Sequence, residues 1–222
     1  MHTIGKVSLL PAREQVASIL RQAILLRQFK EGQSLTLKEA SDLVGASITP
    51  VREAFQILEN EGLLKLHLNK GAVVLGVTAK SIHDHYSTRA ILEAYAAGQA
   101  SRIDRDISLI KETFQTSERA ICLKDVNLYR DCNMTFHMSI WQAANNKRME
   151  KILSSLWNGF SLGYMITEEE YLSRSWEEHK AIFAAICSHD STLAEDLMKK
   201  HIIRSMEDIL TRYTHEGDDA IR

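Results

Sequence analysis

Proline is almost missing from this chain, and glycine is scarce beyond its first third. Only Pro11 and Pro50 occur in 222 residues, and glycines thin out after Gly76. With so few breakers, the chain is expected to run in long, rarely interrupted helices. Long apolar runs are missing too. None approaches the roughly 20 residues that a bilayer-spanning helix requires, so no membrane association is expected. Residues 1–10 carry one lysine and too short an apolar stretch for a secretory signal, which makes the cytoplasm the expected location. Cysteine is sparse and scattered. Cys122, Cys132 and Cys187 form no C-x-x-C pair, which argues against a disulfide framework and predicts reduced, buried thiols.

What remains is the composition of a soluble globular protein, 45% hydrophobic and 25% charged. The length exceeds what one small core needs, so two domains are expected. The net charge of -2 does not by itself suggest a polyanion partner. The charge is uneven, however. Residues 1–75 hold nine Lys and Arg against seven Asp and Glu, a balance of +2, while the rest hold eighteen against twenty-two, a balance of -4. The asymmetry has the sign expected of an N-terminal nucleic-acid module, and it is small.

Local patterns divide the chain in the same place. From Ala12 to Gln28, Val16, Ile19, Leu20, Ala23 and Ile24 recur at helical spacing. A short helix over 36–44 follows, then a turn at Gly45-Ala46-Ser47, then a helix over 50–61. Ser47 or Thr49 is positioned to cap that last helix, with Pro50 in its first turn. Val51, Ala54, Phe55 and Leu58 fall at i, i+3, i+4 and i+7 and should face a core, leaving Thr49, Arg52, Glu53 and Gln56 on the other side. Leu64, Leu66 and Leu68 then alternate with Lys65, His67 and Asn69. Asn69-Lys70-Gly71 makes a turn, and Ala72–Leu75 returns, which reads as a β-hairpin. Helix, helix-turn-helix and hairpin in that order make a winged helix, placed at 8–76. From Thr78 onward only helical periodicity appears, in six segments at about 79–101, 105–122, 126–144, 147–164, 168–187 and 191–213. The fold class is therefore mainly α: an N-terminal winged helix-turn-helix followed by an all-α bundle over 77–215, large enough to enclose a pocket.

The stretch from Gly32 to Val74 resembles the GntR family of regulators. Gly32, Leu35 and Lys38 are followed by Gly45-Ala46-Ser47-Ile48-Thr49-Pro50-Val51-Arg52-Glu53-Ala54-Phe55, Leu58, Gly62 and Gly71-Ala72-Val73-Val74. The later half is similar to the FCD domain of that family's FadR-type, VanR-like branch. It matches at Arg89-x-x-Leu92-Glu93, Asn133-x-x-Phe136-His137, Glu178-His179-x-x-Ile182 and His201. The resemblance implies a sequence-specific regulator, not an enzyme, working as a homodimer on a double-stranded DNA operator. Lys38, Ser47, Thr49, Arg52 and Gln56 would contact DNA, with His67, Asn69, Lys70 and Gly71 at the wing. One departure stands out: the arginine usual after the serine is Ile48 here.

For the bundle, the resemblance implies a divalent transition metal, zinc or nickel, held by Asn133, His137, His179 and His201. The usual first ligand is an aspartate, so Asn133 makes the site one charge more positive. Arg89 would hold a small carboxylate effector, with Tyr86 and Trp141 lining the same cavity. A structural pair of Arg89 with Glu93 at i+4 stays open. His2, His83, His85, His189 and His215 are expected on the surface or in loops. Two alternatives share these residues. One is a metal-free effector pocket with structural histidines. The other is a metal-dependent hydrolase fused to a DNA module, for which only Glu178 offers a nearby acid, on a different face from His179.

Overall fold

The computed structural model describes residues 11–25, 27–67, 71–159 and 169–219. The chain divides into two compact units, 1–78 and 79–222. In the first, α1 (Ala12–Leu25), β1 (Ser34–Leu35), α2 (Leu37–Val44) and α3 (Ile48–Asn60) precede β2 (Leu64–His67) and β3 (Gly71–Val74). The strands form one antiparallel sheet in the order β1-β3-β2, with Leu64 opposite Val74 and His67 opposite Gly71.

Local chemistry explains these elements. Thr36 and Glu39 form a reciprocal capping box at the start of α2, and Gly45 ends it in the left-handed region that glycine enters without penalty. Val51, Ala54, Phe55 and Leu58 of α3 are all buried, as their spacing predicts. Arg21 of α1 reaches over to Glu61 just past α3 with a two-pronged ion pair at 2.6 and 2.8 Å. That fork ties the first helix to the end of the third.

Two features differ from expectation. α3 begins at Ile48, two residues early, with Ser47 as N-cap but no side-chain capping bond. The strand β1 was not expected, because two residues carry no periodicity. It exists because Gly71 has no side chain: a Cβ there would lie 2.3 Å from the Leu35 carbonyl oxygen. Gly71 thus serves strand contact rather than only the wing's approach to a ligand.

The second unit is α4 (Ala79–Ala100), α5 (Ser108–Cys122), α6 (Val126–Ala143), α7 (Lys147–Gly159), α8 (Glu169–Cys187) and α9 (Ser191–Asp219). The expected continuation of α7 to 164 lies outside the described residues. α4 packs chiefly on α9 and α6, α5 on α6, and α8 on α9. Small residues let α4 come close to α9. A Cβ on Gly98 would lie 2.1 Å from the Glu195 carboxylate.

A bundle with little glycine still has to turn, and it uses one device three times. Lys124, Asn145 and His189 take positive φ, where non-glycine residues pay a steric penalty. Each is followed by an Asp or Asn that accepts a hydrogen bond from the first turn of the next helix. The pairs are Asp125 with the Leu128 amide at 3.0 Å, Asn146 with Met149 at 3.1 Å and Asp190 with Leu193 at 2.9 Å. The thiols are not all buried as expected. Cys132 is buried, Cys187 is partly covered and Cys122 is exposed at the end of α5. Among the described residues, no helix is long and apolar enough to cross a membrane.

Candidate functional site

The first unit gathers the predicted polar side chains around one groove. Lys38, Arg52, Gln56, His67 and Gly71 line it together with Ile48. Lys38, Ser47, Thr49, Arg52, Gln56 and His67 are all exposed. They come from the start of α2, the outer face of α3 and the end of β2. Asn69 and Lys70, the expected wing tip, lie outside the described residues.

Arg52 makes no ion pair among the described residues. Its neighbouring acids are occupied elsewhere: Glu53 faces Arg13 at 3.9 Å, and Glu59 accepts the Leu66 amide at 2.9 Å. A guanidinium left unneutralised on an exposed helix face is available to a partner. Ile48 is 45% exposed on the same groove. Its apolar surface fits a thymine methyl better than a phosphate.

The second unit holds a buried imidazole cluster. His137 on α6, His179 on α8 and His201 on α9 each offer one nitrogen, and these atoms lie within 4.8 Å of one another. The Nε2 atoms of His179 and His201 are 3.3 Å apart. Two nitrogens bound tetrahedrally to zinc at 2.0–2.1 Å would be separated by about 3.3 to 3.4 Å, so the spacing of this pair fits such an ion. Burial holds His201 down to about 4, against the pull of its bond to Glu178. Burial, joined by the other two imidazoles, also holds His179 well below the ordinary value. Neutral rings keep the lone pairs a metal needs.

Carboxylates behind the cluster orient it. Glu93 accepts from His137 Nδ1 at 2.5 Å, and Glu178 accepts from His201 Nδ1 at 2.6 Å. Both contacts leave Nε2 as the free ligand atom, the arrangement common behind metal-bound histidines. Burial would raise the Glu93 carboxyl, but the Arg89 charge and the bond from His137 hold it well below its usual range. Glu178 is brought down to about 2, because bonds from His201 and Arg204 outweigh its burial. Glu178 reaches the cluster through His201. With Arg204 Nε also donating to it at 2.8 Å, it is a positioning group and not a free base.

A cavity beside the cluster is lined by Tyr86, Arg89, Asn133, His137, Trp157 and His201, among others. Asn133 stands on the same face of α6 as His137, as the spacing predicts. Arg89 lines the cavity and also forms the i+4 pair with Glu93, donating from Nε at 2.9 Å and Nη2 at 2.6 Å. Trp141 corrects an expectation. It is not on the cavity wall but behind it, donating Nε1 to Glu93 at 3.2 Å. Trp157, which no local signal singles out, takes the wall position and lies 4.5 Å from the Arg89 guanidinium.

His85 corrects another expectation. It is buried edge-on against Tyr86 rather than exposed. His83 is exposed, as is His189, which contacts the Ser101 carbonyl. His2 and the side chain of His215 lie outside what is described.

Comparison with known proteins agrees with both halves. Residues 12–74 match the model for bacterial regulatory proteins of the gntR family, and residues 84–204 match the FCD domain. The chain is 24% identical to the gluconate operon transcriptional repressor of Bacillus licheniformis over 88% of its length and 82% of that protein's. It is 25% identical to a probable D-xylose utilization operon transcriptional repressor of Paenarthrobacter nicotinovorans, over 94% of each. Its fold is similar to E. coli McbR/YncC, with a TM-score of 0.68 at 20% identity, covering 92% of this chain and 100% of that one. A GntR regulator from Rhodococcus sp. RHA1 gives 0.63 at 25% identity, covering 90% and 97%. The chain belongs to the gntR family of bacterial regulatory proteins and carries that family's FCD domain.

Proposed function

We propose that this protein is a ligand-responsive transcription regulator that binds operator DNA as a homodimer in the cytoplasm. The observation that carries the reading is the exposed Arg52 on α3, without an ion pair among the described residues and in one groove with Lys38, Gln56 and His67. A recognition helix enters the major groove with its N-terminal residues against base edges. Ser47, Thr49 and Arg52 occupy that end, and Ser47 makes no capping bond with its own helix. Helix N-termini also favour phosphate. The names of the relatives favour repression as the mode of action.

The second unit supplies the sensing function in this reading. His137, His179 and His201, with Asn133, would hold a divalent transition metal, zinc or nickel. Bound there, such an ion offers a Lewis-acidic point for an oxygen of a small organic acid. The chain's own part is orientation: Glu93 and Glu178 fix the tautomers of His137 and His201, while Arg89, Tyr86 and Trp157 shape the wall.

Selection from random duplexes, followed by fluorescence anisotropy on the enriched site, tests the DNA reading. Arg52→Ala is expected to weaken binding by about 1–3 kcal/mol, roughly 5- to 150-fold. Unchanged affinity would sink it. A metal-free pocket is favoured by one observation: at 3.3 Å, His179 and His201 also satisfy an N–H···N hydrogen bond without an ion. Elemental analysis of protein purified without chelator separates the two.

A further inference from the structure

The cavity in the second unit is walled by two guanidinium groups in opposite states. Arg89 is answered by the Glu93 carboxylate, and its flat group lies near Trp157 and Tyr86. Arg130 is not answered. Its Nε and Nη2 are shut off from solvent and have no hydrogen-bond partner among the described residues. It lies on α6 at i, with Asn133 at i+3 and His137 at i+7, so the three share a face. All three line the cavity. Asn133 is neutral and gives the guanidinium no counter-charge.

A second donor is in the same condition. Trp157, 7% exposed, lines the cavity with a buried Nε1 that donates to nothing among the described residues. A buried donor without an acceptor loses its hydration and gains nothing back, and the loss is greater for a charged group. Proteins keep such groups where a ligand supplies the acceptor. Arginine and indole nitrogens only donate, so the missing partner is rich in acceptors. The cavity encloses about 50 Å³. A water needs roughly 10–15 Å³ of such space, so there is room for one small acidic group.

We propose that Arg130, with Trp157 beside it, anchors an anionic oxygen group, a carboxylate or a phosphate, of the ligand that this pocket senses. Arg89, already neutralised by Glu93, shapes the wall instead. This inference rests on the sensing role proposed above and names the residue that makes the ligand an anion.

The test uses the full chain in a buffer free of multivalent anions at fixed ionic strength. Thermal shift and calorimetric titration are run with inorganic phosphate, with malonate and with the neutral polyol xylitol. Wild type is compared with Arg130→Met and Arg130→Lys. At least one of the two anions is expected to stabilise the wild type while xylitol does not, and which anion binds distinguishes a phosphate from a carboxylate ligand. Arg130→Met should weaken that anion at least 10-fold, and Arg130→Lys less, because it keeps the charge and loses the fork. Without anion, Arg130→Met should melt at or above the wild-type temperature, since it removes an unanswered buried charge.

A fall of several degrees in that control would make Arg130 structural and overturn the proposal. Anion binding within twofold of wild type would overturn it equally. A zinc titration of the same proteins separates the two levels of failure. If zinc stabilises every variant while anion binding ignores Arg130, the sensing role stands and the assignment of Arg130 falls. If neither zinc nor any anion shifts the wild type, the sensing role falls and takes this inference with it.

Discussion

Arg52 and Arg89 are the same side chain under opposite demands. Arg52 stands exposed on α3 without an ion pair among the described residues, while Arg89 lies buried on α4 with both forks on Glu93. The polar side chains that project from the groove of the first unit, Lys38, Arg52 and Gln56, stand exposed and outside the core. In the second unit most of the site, though not Arg130, is built from side chains that hold one another: Glu93 alone takes bonds from Arg89, His137 and Trp141. A site on a surface can therefore change its residues at little cost in stability. Inside a bundle that freedom is left only to a residue that no neighbour answers, such as Arg130.

The largest effect should come from breaking the buried side of that comparison. Glu93→Gln leaves the Arg89 charge inside the bundle without its counter-ion. Breaking one partner of a buried pair costs about 3–5 kcal/mol, to be read from urea unfolding. A loss below about 1 kcal/mol would mean that water reaches the pair and that the pocket is open. Arg52→Ala supplies the other side. Its unfolding free energy should stay within about 0.5 kcal/mol of wild type, even as its operator affinity drops as stated above. Destabilisation of Arg52→Ala by more than that would erase the contrast.

Sequence periodicity revealed the elements better than the contacts. All six helices described in the second unit follow from apolar spacing and from the scarcity of breakers. The turn device at Lys124-Asp125, Asn145-Asn146 and His189-Asp190 was hidden because none of the left-handed residues is glycine. β1 was invisible because its two residues are placed by what Gly71 lacks. Within the site, the i+4 spacing of Asn133 and His137 put both on one helix face. Which tryptophan meets the cavity depends on how α6 and α7 pack, so Trp141 and Trp157 could not be told apart locally. Glu178 reaches His201 across 22 intervening residues, a contact that no spacing rule contains. His85 did carry a signal, since Ile82, His85 and Arg89 fall at i, i+3 and i+7 on the buried face of α4.

His85 also sharpens the comparison by pH. Burial, helped by the nearby Arg89 charge and opposed by Glu93, lowers its pKa to about 3, whereas an unfolded histidine titrates near 6.5. Between those values the unfolded chain binds a proton that the folded chain refuses. Stability is therefore free of this penalty above pH 6.5 and declines as pH falls through the window. At pH 5 the penalty amounts to about 2 kcal/mol. His85→Gln should lose that much less stability between pH 7.5 and 5 than wild type, with chelator present in both. Parallel pH profiles for the two proteins would show that His85 is solvated in the native state.

The smallest effect compares two helix caps. Asp190 accepts the Leu193 amide at 2.9 Å and so answers one of the open donors of α9. Asp190→Ala should cost about 1 kcal/mol and leave operator binding intact. Ser47 sits at the equivalent place on α3 but makes no capping bond, so its loss removes no interaction from the folded chain. Ser47→Ala should stay within about 0.5 kcal/mol in unfolding and still weaken the operator complex, because its hydroxyl is left for a phosphate. If the serine variant unfolds as easily as the aspartate variant, Ser47 is an ordinary cap. The first unit would then lose its claim to a reading surface that carries no structural load.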